Sequence, residues 1–205
     1  MKKMIAMAVL ALSATSAFAQ YSAGDFTIQP KVGLNVANMT KLDTDKDDSG
    51  WKAGLAVGVE GEYHFNNWFG LSVGAMYSQK GAKETTKWSS GKLDYKWKLD
   101  YIDVPVLANF YVAKGLALKV GLQPSFKVSA KHELSGTVEG EKGSASEKMS
   151  GFKSFVMEAP IGISYEYAGF CLDARYTLGA SDVMENYNYK NQVFQLTLGY
   201  KFKLK

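Results

Sequence analysis

The chain has 205 residues, with 24 Lys and Arg against 20 Asp and Glu and a formal net charge of +4. Its basic residues are spread along the sequence, so the concentrated basic face that a nucleic-acid partner requires is missing, and Cys171, the one cysteine, excludes an internal disulfide. Gly (20), Tyr (12) and Phe (11) are abundant and Pro (4) is scarce, in a chain of single-domain size.

The amino end reads as a secretory signal peptide over residues 1–19. Lys2 and Lys3 precede an apolar run from Met4 to Leu12, and Ala17-Phe18-Ala19 supplies the cleavage site. That run is too short to span a bilayer as a helix, and no other apolar stretch approaches the roughly 18 residues needed. Any membrane-spanning part of residues 20–205 must therefore be a closed barrel. No Cys follows the cleavage site, which argues against a lipid anchor.

From residue 26 onward the sequence alternates. Phe26, Ile28, Pro30, Val32, Leu34 and Val36 share one parity against Thr27, Gln29, Lys31, Gly33 and Asn35, as in a strand with one apolar face. The pattern recurs over Trp51–Phe65, Phe69–Ser78, Tyr101–Val112 (the weakest alternation), Leu116–Ser129, Phe155–Tyr167, Phe170–Leu178 and Val193–Leu204, eight strands in all. Asn66-Asn67, Ala113-Lys114-Gly115 and Ala168-Gly169 are short turns. Between them come long connections over Met39–Gly50, Gly81–Trp97, His132–Ser150 and Ala180–Tyr189. Short turns on one side and long loops on the other predict an all-β, eight-stranded antiparallel up-and-down transmembrane β-barrel, with both chain ends on the periplasmic side.

Alternation alone also fits a soluble periplasmic lipocalin-like barrel with an apolar interior. Two features favour lipid as the solvent of the apolar face. The polar face is crowded with Gly, Ser and charges of both signs (Lys31, Glu60, Glu62, Asp103, Lys119, Lys127, Glu158, Glu166, Asp173 and Arg175), a composition suited to a narrow lumen. Aromatic residues also gather at strand ends. Tyr63, Phe65, Trp68, Phe69, Phe110, Tyr165, Tyr167, Phe170, Tyr200 and Phe202 lie by the short turns, and Trp51, Tyr77, Phe155 and Tyr176 toward the long loops. The ten charged residues are read as a paired, packed network that fills the lumen; a narrow ion pore is the alternative.

Asp43, Asp45 and Asp47 are spaced like the start of a calcium loop, but Asp48 replaces the required Gly and Gly54 the bidentate Glu, so a solvated acidic loop is expected. The second connection mixes Lys80, Lys83, Lys87, Lys92, Lys96 and Lys98 with Trp88, Tyr95 and Trp97. Lys83, Lys87, Trp88, Lys92, Tyr95 and Trp97 are candidates for external contacts with lipopolysaccharide. His132 lies in the third connection beside Glu133 and Ser135, far from His64, and no spacing supports a catalytic triad. Cys171 reads as a small core residue. No cofactor, plug domain or cell-wall-binding domain is expected.

Several blocks resemble a known family: KVGLNVANM, EGEYHFNNWFGLSVGAMYSQKGAK, LDYIDVPVLANFYVAKGLALKVGLQPSF, LDARYTLG and the closing KNQVFQLTLGYKF. They are similar to successive blocks of the PorT-like outer-membrane β-barrel family of Bacteroidota, most specifically at YSQKG, YIDVPVL and ARYTLG followed by KN. The resemblance implies a small eight-stranded barrel of the outer membrane. With no catalytic spacing in the residues no enzyme is expected, and lipid, lipopolysaccharide and the barrel assembly machinery are the expected partners. The family's namesake is tied to export through the type IX secretion system, so secretion-system or surface components are further implied partners. The Lys-Leu-Lys end departs from the terminal aromatic residue of many such barrels, leaving Phe202 or Leu204 to carry recognition during assembly.

Overall fold

The computed structural model describes residues 21–41, 50–88, 91–138, 141–148, 151–185 and 188–204; side chains at 40–41, 84–88, 91–94, 136–138 and 141–144 are outside the description. The expected signal peptide over residues 1–19 and the acidic run through Asp43, Asp45 and Asp47 therefore lie outside the described residues.

Eleven strands are seen among the described residues: β1 (Phe26–Lys41), β2 (Lys52–His64), β3 (Phe69–Trp88), β4 (Gly91–Asp103), β5 (Val106–Ala113), β6 (Leu116–Val138), β7 (Glu141–Lys148), β8 (Phe155–Tyr167), β9 (Phe170–Gly179), β10 (Tyr189–Tyr200) and β11 (Phe202–Lys203). Antiparallel neighbours run β1-β2-β3-β4-β6-β8-β9-β10, and β10 returns to β1 from Lys31↔Gly199 to Lys41↔Tyr189. The result is a closed eight-stranded barrel in which β5 continues β4 and β11 continues β10. Pro105 divides β4 from β5, because it has no N–H for the ladder; its carbonyl still accepts from Gly74 N at 2.9 Å. The fourth alternation is the weakest because apolar Tyr101 and Leu107 take buried inward positions there, so both faces carry apolar residues.

Side chains sort as the alternation predicts. Leu34 (61% exposed), Leu198 (51%) and Ile161 (53%) point outward, while Lys31, Glu60, Asp173 and Arg175 are buried inside. An apolar-lined soluble barrel is thereby overturned: its interior would need the opposite parity. Around the short turns, Tyr63 packs on Phe65, Phe69 on Phe110 and Phe170 on Tyr200; all but the half-buried Phe69 are exposed, and together they form the girdle expected at an interface.

Two expected loops are corrected. β3 runs to Trp88 and β4 begins at Gly91, with Lys83 paired to Lys96, so Gly81–Trp97 is a hairpin. β6 runs to Val138 and pairs with β7, placing His132 on a strand opposite Glu147. Outside the lipid neither face needs to be apolar, so these strands carry no apolar period to read. At about 3.3 Å per residue the 20 residues of β3 and the 23 of β6 far exceed the roughly 30 Å of hydrocarbon, and the surplus stands above the barrel as a sheet in the order β3-β4-β6-β7. A β-bulge interrupts the β4–β6 register between Asp100 and Tyr101.

The β8–β9 turn holds Ala168 at φ 51° and Gly169 at φ 83°, the left-handed pair that a two-residue type I′ connection demands. Gly169 also lies against the Tyr200 ring, where an added Cβ would come within 2.8 Å. Ala168 pays the steric penalty of that region, so Ala168→Gly should stabilise the folded barrel by about 1 kcal/mol in urea titrations on lipid vesicles. In the same assay Leu198→Arg should cost about 2 to 4 kcal/mol if its site is near the bilayer midplane. Indifference to Leu198→Arg would contradict the lipid-facing assignment.

Candidate functional site

Inward-facing positions on neighbouring strands place charged side chains in three levels along the barrel axis. At the centre, Lys31 from β1 meets Glu60 from β2 at 2.9 Å and Asp173 from β9 at 3.3 Å. Lys119 from β6 reaches the same two carboxylates at 3.3 and 2.7 Å. Arg175 lies two residues beyond Asp173 and therefore on the same face; its Nε and Nη2 donate to Asp173 at 2.8 and 2.7 Å, and Nη2 also to Glu60 at 2.5 Å. Each carboxylate is thus shared by three cations. That sharing makes the burial tolerable, since an unpaired buried charge costs several kcal/mol.

Gly162 on β8 pairs with Arg175, and an added Cβ there would sit 3.0 Å from Arg175 Cγ and 2.6 Å from the Ala174 carbonyl oxygen. The guanidinium stem occupies the space that the missing side chain leaves.

Toward the external end, Lys80 bridges Asp103 (2.9 Å) and Glu158 (2.6 Å), and Glu158 also accepts from Gln123 Nε2 and Asn191 Nδ2. Toward the periplasm, Lys201 meets Glu62 at 2.7 Å and Glu166 at 3.5 Å, while the Tyr111 hydroxyl donates to Glu62 and the Tyr21 hydroxyl to Glu166. Tyr21 stacks on His64 with ring centroids 4.0 Å apart and tilts against Tyr111, so aromatic rings lie across this end. The external end carries a hydrophobic cluster instead: Met39, Leu99, Tyr101, Phe152, Val156 and Val183, with Trp97 packed against it.

Of the ten lumen residues read from the sequence, nine lie in these three levels. Lys127 stands apart and donates to the Phe152 carbonyl. Lys80 stands among the lysines of the second connection, yet it shares the inward parity of Ser72, Gly74, Met76 and Ser78, and that parity places it in the lumen. Tyr21 carried no periodic signal because it precedes the first strand.

The external candidates are divided by the strand period. Lys83 is opposite Lys96 on the outer face of the sheet, whereas Trp97 turns into the mouth cluster and Tyr95 stacks on His132 at 5.7 Å. Lys83 therefore lies on the face opposite to Tyr95 and Trp97, since consecutive residues of a strand face opposite ways. Lys87 pairs with Lys92, and Trp88 with Gly91, in the backbone ladder; their side chains are outside the described residues. Glu133, beside Lys98, has its carboxyl held below the usual carboxylate range by that ammonium group. Among the described residues no three His, Cys, Asp or Glu side chains converge as metal ligands.

The model of the outer membrane protein β-barrel domain family matches residues 18–185. This chain belongs to that family. It is accordingly a protein of the outer membrane, and the outward apolar band faces the bilayer. Among solved structures it is similar to Ail, the attachment invasion locus protein of Yersinia pestis, at 16% identity over 88% of this chain and 99% of that one, with a TM-score of 0.47. Neisserial surface protein A is 16% identical, with 86% and 97% of the two chains covered and a TM-score of 0.45. The outer membrane protein OprG of Pseudomonas aeruginosa is 11% identical, with 91% and 99% covered and a TM-score of 0.38. A comparison with curated proteins gave no match.

Because Arg175 is shared by both central carboxylates, Arg175→Gln should destabilise this family member by about 3 to 5 kcal/mol. Arg175→Lys should lose less, since it keeps the charge and gives up the two-pronged geometry. Urea midpoints in vesicles would separate the two, and equal losses would mean that charge is not what the site requires.

Proposed function

We propose that this protein is a non-conducting, non-catalytic scaffold of the outer membrane that holds its external sheet at a fixed height, in a structural, adhesive or secretion-accessory role of the PorT-like kind. The observation that carries this reading is the filling of the lumen along its length: the Tyr21–His64 stack at one end, the shared ion pairs at the centre and the Leu99–Phe152 cluster at the other. A narrow eight-strand interior occupied in this way offers no continuous aqueous path. The family blocks shared with PorT-like proteins favour the secretion-accessory variant, with the barrel assembly machinery and surface components as partners. Phe202, exposed on β11 beside Tyr200, is the aromatic residue placed to serve assembly.

Purified mature protein in planar bilayers should show no discrete openings; stepwise conductance would overturn the sealed-lumen reading. Deletion of the gene should impair export of surface proteins while leaving small-solute uptake unchanged. A defect confined to attachment would favour the adhesive variant instead.

A further inference from the structure

On the outer face of the external sheet, described lysines of neighbouring strands gather in one row, with Asp100 two residues from Lys98 on the same face. Lys98 on β4 lies directly opposite Lys131 on β6, and Lys131 lies directly opposite Lys148 on β7, so three lysines form one row across three adjacent strands. In the row above, Lys96 is opposite Lys83 on one side and Glu133 on the other. Like charges in register across a ladder repel, with Cβ atoms only about 5 Å apart. Glu133 reaches Lys98. Lys131 and Lys148, on the same face, are exposed.

Height above the bilayer indicates which anion the exposed lysines Lys131 and Lys148 meet. On β6 the last outward apolar residue is Val128 (61% exposed), three positions before Lys131; on β4 it is Ile102, four positions from Lys98. At about 3.3 Å per residue and the usual strand tilt, the row stands roughly 8 to 10 Å above the apolar band, which is the headgroup layer of the outer leaflet.

We propose that the Lys98, Lys131 and Lys148 row binds the phosphate groups of lipopolysaccharide, fixing the β3-β4-β6-β7 sheet against the outer leaflet. This partner deepens the scaffold reading and rests on it only in placing the sheet outside the membrane. A conducting lumen would overturn that reading and leave the row untouched.

The test uses the folded mature barrel in detergent micelles, titrated with lipopolysaccharide, with the same lipopolysaccharide after enzymatic removal of its lipid phosphates, and with a soluble sulfated polysaccharide. The variant is K131Q together with K148Q, which leaves the Lys98–Glu133 pair intact; K114Q in a periplasmic turn is the control. Intact lipopolysaccharide should bind the parent and the control equally. At about fivefold per lysine facing an anionic headgroup, the double variant should bind roughly thirtyfold more weakly, and the dephosphorylated lipid should no longer distinguish variant from parent. Parent-like affinity in the double variant, or indifference to phosphate removal, overturns the proposal. Tighter binding of the soluble polysaccharide than of lipopolysaccharide overturns the lipid as occupant. Thermal unfolding supplies the second readout. Without lipid the double variant should melt no lower than the parent, because repulsion is relieved, and the melting rise on adding lipopolysaccharide should shrink. A lower melting temperature without lipid would show that internal contacts hold the row and would count against it.

Discussion

A polypeptide in hydrocarbon has to satisfy every backbone N–H and C=O from within, and the pairing of β10 with β1 is the step that does so here. Without it, two strand edges would face lipid. Once the ring closes, each position is assigned to one of two solvents by parity alone. Leu34, Leu196 and Leu198 are left to hydrocarbon, while Lys31, Gln195 and Thr197 are left to a lumen too narrow for bulk water. The lumen chemistry follows. Charged groups that cannot be hydrated must find one another, and the pairs they form join residues as distant in sequence as Glu60 and Arg175. The ion pairs do not close the barrel; closure is what makes them necessary.

Tight closure also explains why glycine sits where a lumen lining would otherwise be expected. A Cβ on Gly33 would come within 2.0 Å of the Leu196 carbonyl oxygen, so the seam between β1 and β10 approaches more closely than any side chain permits. Glycine on the inner face thus serves both the backbone and the charges. It lets the strands coil against one another, and at Gly162 it makes room for the Arg175 stem.

Where hydrocarbon dictated the residues, the sequence was legible. β2 and β10 alternate apolar and polar residues over their membrane-crossing lengths because one face has lipid as its solvent, and an observer needs only the period to place them. The reading stopped where that solvent stops. Lys131, Glu133 and Ser135 alternate with residues that face the barrel mouth, but both sets are water-compatible, so strand and loop look alike in composition. Lys80 is hard to place for a related reason: it lies among lysines that leave the membrane, although its parity still points inward. Ion-pair assignments were not legible at all, since Lys119 reaches Asp173 across the lumen and only the closed register brings them together.

The bulge between β4 and β6 decides what the external sheet presents. Below it, Tyr101 is opposite Lys127; above it, Asp100 is opposite Ser129, and Val128 is the extra residue. Continued without that insertion, the lower register would set Leu99 opposite Ser129, Lys98 opposite Ala130 and Trp97 opposite Lys131. The ammonium group of Lys131 would then enter the cluster of Leu99, Phe152 and Val183, and Ala130 would face outward in its place. A one-residue slip exchanges the two faces of everything beyond it. The inserted residue therefore does two things at once: it gives the barrel mouth an apolar cover from Leu99 and Ala130, and it turns the lysines of β4, β6 and β7 toward the same side. Sealing of the lumen and the basic character of the outer face are consequences of one irregularity, so neither can be altered by register without altering the other.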